Sequence, residues 1–309
     1  HTDAVWGVKW TSADTTVSIS ADGSLKQWAA AAGQPHPPNG SFPTPHSLAQ
    51  ISLSVSPDGT RALYNSIEGT TSLWDLEKCD ILGTYESFAR TSDTAEPSWS
   101  VSLHPNAETY ASTGSSGNIT IHSAKAENFG EHLSSLPSGK AKFGICCVHS
   151  PNGRFVAMSS ETGQIYVFDL ESNTLSITFT SHAMSVRSLA WSPDSTFLLS
   201  ASEDKRLVLH DVRSPPGAAI ASFSGHTSWV LSTDISPDGR LGLSGSADKT
   251  IKVWDIGARA AVSTVQDNGE VWSVSWRPKP PAAGSPGAFV SGGEDGVVKW
   301  WRGAGAGGP

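Results

Sequence analysis

Serine, histidine and aspartate recur in this chain at a fixed spacing, and they are the residue types of a nucleophile, its general base and the acid that orients the base. One set is His226, Ser244 and Asp248, another is His1, Ser18 and Asp22, and in both a tryptophan follows, Trp254 and Trp28. A third set, His182, Ser200 and Asp204, is followed by His210, and a fourth replaces the histidine, reading Asp267, Ser291, Asp295 and Trp301. A hydrolytic triad is expected once, beside a pocket and an oxyanion hole. A set repeated and eroded along a chain fits a different use. A buried indole N–H needs an acceptor, serine can supply it and donate onward to histidine, and histidine can donate to aspartate, which gives a satisfied polar chain. The tetrads His1, Ser18, Asp22, Trp28 and His226, Ser244, Asp248, Trp254 are therefore assigned to structure, and no catalytic residue is expected.

The elements that position these sets repeat with them. At residues 28, 74, 122, 168, 210, 254 and 301 a mostly aromatic residue ends a short apolar strand. The interval stays at roughly 42 to 48 residues, which suits a four-stranded blade and is too long for helical-pair repeats. Within the unit at 224–256, Ser236-Pro237-Asp238-Gly239 is a turn signal, and Ile251-Lys252-Val253-Trp254-Asp255 alternates like a strand. The turn recurs as SPDG at 56–59, SPNG at 150–153, SPDS at 192–195 and, worn, as HPNA at 104–107. With 30 Gly and 19 Pro and almost no helical spacing, the chain reads as all-β. The expected architecture is a single seven-bladed β-propeller over 1–302, with a disordered Gly-rich tail at 303–309. Closure of such a ring commonly borrows an N-terminal strand for the last blade. None is available from His1 onward, so blade 7 is expected to lack its outer strand because the N-terminus is truncated.

Several chemistries are disfavoured. Cys79, Cys146 and Cys147 have no paired spacing, so neither a disulfide framework nor a zinc site is supported, and no cofactor or metal is expected. A net charge of -8, with no run of Lys or Arg, opposes direct nucleic-acid binding. No apolar run approaches a membrane span. Asn118-Ile119-Thr120 and Asn39-Gly40-Ser41 match a glycosylation pattern that a cytoplasmic chain would never use.

Gly225-His226, Trp254-Asp255, Trp74-Asp75 and the SPDG turns resemble the WD-repeat family. Two longer stretches, HAMSVRSLAWSPDSTFLLSASEDKRLVLHDV at 182–212 and SGHTSWVLSTDISPDGRLGLSGSADKTIKVWDIGARAAVSTV at 224–265, look like the WD-repeat subunit of the superkiller complex, in a fungal version. AVWGVKW at 4–10 and SLWDLEKCDIL at 72–82 fit as well, whereas the proline-rich insert at 33–45 and the loop at 277–289 look particular to this chain. The resemblance implies a non-enzymatic scaffold, monomeric on its own, that joins a helicase to a tetratricopeptide subunit for exosome-linked 3′-5′ mRNA decay in the cytoplasm. It also implies nuclear roles, with the meiotic double-strand-break machinery in fungi and the RNA-polymerase-associated PAF complex in animals. The alternative is a WD-repeat adaptor of another complex, in chromatin, transcription elongation or ubiquitin ligation.

In this family the partner usually meets the face with the blade-to-blade loops, where the exposed positions fall three and five residues after the repeat histidine. The five-after positions here are Trp6, Ile51, Trp99, Ile145, Arg187, Leu231 and Trp272, and the three-after positions add Phe143 and Trp229. Glu161, Glu203, Glu270 and Glu294 stand at neighbouring loop positions. An apolar ring with an acidic edge suits a peptide carrying a bulky apolar residue and an arginine. The competing reading makes these aromatics core, packed between blades. Of the twelve tryptophans, Trp300 alone has no expected place.

Overall fold

The computed structural model describes residues 1–30, 33–36, 42–87, 98–213, 219–279 and 287–302. The tail at 303–309, the Asn39-Gly40-Ser41 motif and the middles of the 33–45 insert and the 277–289 loop lie outside them. Among the described residues the strands form seven antiparallel sheets, six of four strands and a last one of three, each in simple up-and-down order. The chain is a seven-bladed all-β propeller. The inner strands, Val5–Trp10, Gln50–Val55, Ser98–Leu103, Gly144–His149, Val186–Trp191, Val230–Ile235 and Val271–Trp276, pack side by side around the axis, and the first lies against the last.

Blade 6 shows how the sequence makes one unit. Strands Val230–Ile235 and Leu241–Ser246 are joined by the Ser236-Pro237-Asp238-Gly239 turn. Ser236 Oγ donates to Asp238 Oδ1 at 2.5 Å and accepts the Leu241 N–H at 2.9 Å. Gly239 sits at φ +73. In the SPDS turn and in the worn HPNA copy the same left-handed position is taken by Ser195 at φ 60 and Ala107 at φ 56, conformations that disfavour a Cβ. The inward-facing side chains of each second and third strand then pack against the neighbouring blade. Leu199, Leu209, Val230 and Trp254, for example, form one inter-blade cluster.

A second regularity joins the blades. The inner strand of each sheet is an edge, so its outward N–H groups need acceptors. Ser52 Oγ and Ser54 Oγ accept the N–H groups of Val101 and Leu103 at 3.1 and 2.9 Å. Ser100 and Ser102 do the same for Cys147 and His149, and Ser188 does so for Thr233. Ser232 and Asp234 serve Val274 and Trp276, and Ser273 and Ser275 close the ring on Val8 and Trp10. The signal was present in the sequence as alternating serines on the inner strands.

The closing seam between blades 7 and 1 is reinforced on all sides. Asp14 accepts bonds from Trp10 Nε1 and Arg277, with Lys279 at 3.5 Å, and the Arg277 contact leads in holding its carboxyl down to about 2. Trp300 finds its place here: its Nε1 donates to Thr16 Oγ1 at 3.0 Å and its ring meets Trp28 edge to face. Trp301 in the three-stranded blade 7 is half-buried, as Trp28 is in blade 1, whereas their counterparts Trp74 and Trp254 are buried.

Candidate protein-docking face

The tetrads come first, because they fix the loops of that face. In blade 6, Trp254 Nε1 donates to Ser244 Oγ at 2.8 Å, Ser244 Oγ lies 2.7 Å from His226 Nε2, and His226 Nδ1 lies 2.8 Å from Asp248. Asp248 also accepts the Thr227 N–H at 2.9 Å. The chain thus runs from the blade interior to the loop after the outer strand. Blade 1 repeats it: Trp28 donates to Ser18 at 2.8 Å, Ser18 is 2.7 Å from His1 Nε2, and His1 Nδ1 is 3.2 Å from Asp22. Ser18, Ser200 and Ser244 are wholly buried, so no substrate can approach these hydroxyls. Burial lowers the His182 and His226 pKa values although the Asp partners oppose it, and Asp248, despite its own burial, is held down to about 2 by hydrogen bonds from Thr250, Thr227 and His226.

Eroded blades replace the chain in physically distinct ways. In blade 5, His210 Nε2 stands 3.0 Å from Ser200 Oγ, and burial pushes its pKa down to about 3. Blade 3 pairs Ser112 with His122 at 3.1 Å. Blade 4 abandons polarity, with Met158 and Phe168 both fully buried at the equivalent places. Blade 7 keeps the Trp301 to Ser291 bond at 2.8 Å, but Lys299 bridges Asp267 and Asp295 where a histidine would stand.

The face above these loops is not an even ring. Trp6 and Trp272 meet edge to face at 5.7 Å across the seam of blades 1 and 7, and Trp99 and Phe143 do so at 5.6 Å between blades 3 and 4. Arg187 of blade 5 lies over the Trp229 ring of blade 6 at 5.9 Å. Trp229 is 44% exposed, while Trp6, Trp99, Phe143, Ile145, Leu231 and Trp272 are half-buried. The core reading therefore fits Trp229 least, and the seam pairs serve both packing and surface. Met184, 44% exposed, stands at the corresponding blade 5 loop.

The acidic edge needs one correction. Glu203 is buried, 8% exposed, because Arg187 Nε donates to its carboxylate at 2.7 Å and neutralises it. Glu161 and Glu294 are exposed; Phe143 N donates to Glu161 Oε1 at 3.3 Å, and Glu294 accepts the Glu270 N–H at 3.1 Å. Glu270 is anchored in turn by Trp272 Nε1 at 3.0 Å. The charge left at the mouth thus gathers beside Trp272 and Phe143. Among the described residues no group of His, Cys, Asp or Glu is placed to hold a metal, and no helix is long and apolar enough to cross a membrane.

Residues 130–169, 173–211, 217–255 and 261–302 match the family model of the WD domain, G-beta repeat. The chain belongs to the WD40-repeat family. As a WD40 propeller it is of a kind that typically serves as a non-catalytic scaffold that binds proteins. It is 34% identical over 288 residues to meiotic recombination protein rec14 of Schizosaccharomyces pombe, covering 93% of this chain and 89% of that one. It is also 30% identical over 171 residues to WD repeat-containing protein SL1-17 of Schistosoma mansoni, covering 54% of this chain and 52% of the relative. With WD repeat-containing protein VIP3 of Arabidopsis thaliana the identity is 32% over 210 residues, 62% of each chain.

Proposed function

We propose that this WD40 propeller is the WD-repeat subunit of a superkiller-type complex, docking a helicase and a tetratricopeptide subunit for exosome-linked 3′-5′ mRNA decay, with a further role in meiotic recombination. The observation that carries the docking half is the exposure of Trp229, a large aromatic on a loop held rigid by the His226 to Trp254 chain. Buried-upon-binding aromatics on rigid loops are the usual anchors of protein interfaces. The recombination half is supported by the 34% identity to rec14 over nearly the whole chain. The ligand on this face is a peptide with a bulky apolar residue, seated against Trp229, Leu231 and the seam pairs. An arginine of the same peptide meets Glu161, Glu270 or Glu294. The expected locations are cytoplasm and nucleus.

Affinity purification of the tagged chain from its own cells, with Trp229→Ala alongside, tests this. Wild type should recover a superkiller-type helicase and a tetratricopeptide subunit, and Trp229→Ala should recover neither while melting at the same temperature. Equal recovery by both would remove Trp229 from the interface. Recovery by wild type of a different assembly, in chromatin or ubiquitin ligation, would replace the complex named here with that adaptor reading.

A further inference from the structure

The face opposite the aromatic mouth carries a cleft of about 200 Å³ between blades 6 and 7. We propose that it docks a second partner segment by taking a carboxylate side chain, independently of the Trp229 face. Arg240, Arg277 and Lys279 line it together with the apolar surfaces of Leu241 and Trp276. Arg240 comes from a different stretch than Arg277 and Lys279, so no basic run marks the three in a chain of net charge -8.

Among the described residues, two donors on side chains that line this cleft lack an acceptor. Trp276 is 5% exposed and its Nε1 has no hydrogen-bond partner among the described residues. Its counterparts in blades 1 and 5 are both satisfied, Trp10 by Asp14 at 2.9 Å and Trp191 by the Val148 carbonyl at 3.1 Å. Arg240 is exposed and forms no ion pair within 4 Å among the described residues, whereas Arg277 and Lys279 are drawn to Asp14. The cleft's own carboxylates are turned to their turns: Asp238 accepts Ser236 Oγ and the Arg240 N–H, and Asp255 accepts the Ala258 N–H at 2.8 Å. A glutamate or aspartate from a partner is acceptor-only and can meet both the guanidinium and the indole, with its neighbours against Leu241. Water does not reach Nε1 in the free chain, so the proposal requires the indole to turn toward the cleft when the carboxylate binds. Asp238 and Asp255 favour a monoanionic carboxylate over a doubly charged phosphoryl group by like-charge repulsion.

The test is NMR of the chain labelled with ¹⁵N at its indoles, titrated with capped Gly-Leu-Glu-Gly and Gly-Leu-Gln-Gly peptides at millimolar concentration. The resonance missing in Trp276→Phe should move downfield with the Glu peptide and not with the Gln peptide. Arg240→Ala should weaken the effect about tenfold, and Trp229→Ala should leave it unchanged, which separates this site from the docking face above. If Trp276→Phe does not fold, anisotropy of a fluorescein-labelled Glu peptide with wild type and Arg240→Glu gives the same decision. An unmoved Trp276 resonance, equal shifts with both peptides, or tighter binding of a phosphoserine peptide would each overturn the proposal.

Discussion

Replacing Ser244 with alanine separates a scaffold from a nucleophile. The hydroxyl is wholly buried, accepts Trp254 Nε1 at 2.8 Å and lies 2.7 Å from His226 Nε2. Its removal deletes one small atom and orphans two buried polar groups, each costing about 1 to 3 kcal/mol when left unpaired. Some of this is recovered if the imidazole changes tautomer, so about 2 to 4 kcal/mol is expected in all. For a chain of 309 residues, at about 2.1 cal/mol/K of unfolding entropy per residue, that is a fall in Tm of about 3 to 6 °C. Urea unfolding of Ser244→Ala, Trp254→Phe and the double variant forms the assay, because the double-mutant cycle isolates the shared bond. Trp254→Phe removes one orphan, so Ser244→Ala should cost measurably less in that background. A single-variant loss below about 0.5 kcal/mol, the scatter of ordinary surface substitutions, would refute the polar-chain account. So would strict additivity of the two changes.

Three further outcomes follow from particular contacts. Lys299→Ala should destabilise by about 1 to 3 kcal/mol in chemical unfolding, since it strands the buried carboxylate of Asp267 beside that of Asp295; added salt should narrow the difference. Ala107→Gly should be neutral to stabilising, by up to about 1 kcal/mol, because Ala107 holds φ 56 without a side-chain bond to compensate; a loss above that size would show that the turn does not need glycine. Stability should also fall on mild acidification. Burial lowers the pKa of His122 to about 4 and of His149 and His210 to about 3, so these rings stay neutral in the fold while the unfolded chain takes up protons below the ordinary value of 6.5. Their contribution is complete above about pH 6.5 and is lost as pH drops towards 3 to 4. A flat Tm between pH 7 and 5 would contradict it.

The fold could be read from the sequence because each blade restates it. The anchor spacing and the Ser-Pro-Asp-Gly turns are local signals, and their meaning does not depend on what lies next to them. The role of the inner-strand serines is not legible locally, for the opposite reason: Ser273 matters only because Val8, at the far end of the chain, presents an N–H to it. Trp300 is the same case, unplaced until Thr16 and Trp28 are brought beside it by ring closure. Glu203 reads as an exposed rim acid until Arg187, sixteen residues earlier, folds over it. Position in the repeat locates a residue on a face, and only the neighbouring strand or blade decides its charge and exposure.

That division also says where function should be sought in a ring of near-identical units. What recurs from blade to blade serves the ring, as the Ser-His-Asp chains of blades 1, 5 and 6 do by holding loops from a buried hydroxyl. Specificity has to come from places where one blade differs from its fellows. Trp229 is such a place, exposed where blade 2 carries Ala49, which is small, and blade 5 carries Ser185. The indole of Trp276, without a partner among the described residues, is another, since its counterparts Trp10 and Trp191 are both paired. Both differences sit on loops or strand ends that the repeat itself holds rigid. A surface residue can therefore change there at little cost to the core, and that is how a common scaffold comes to carry a private interface.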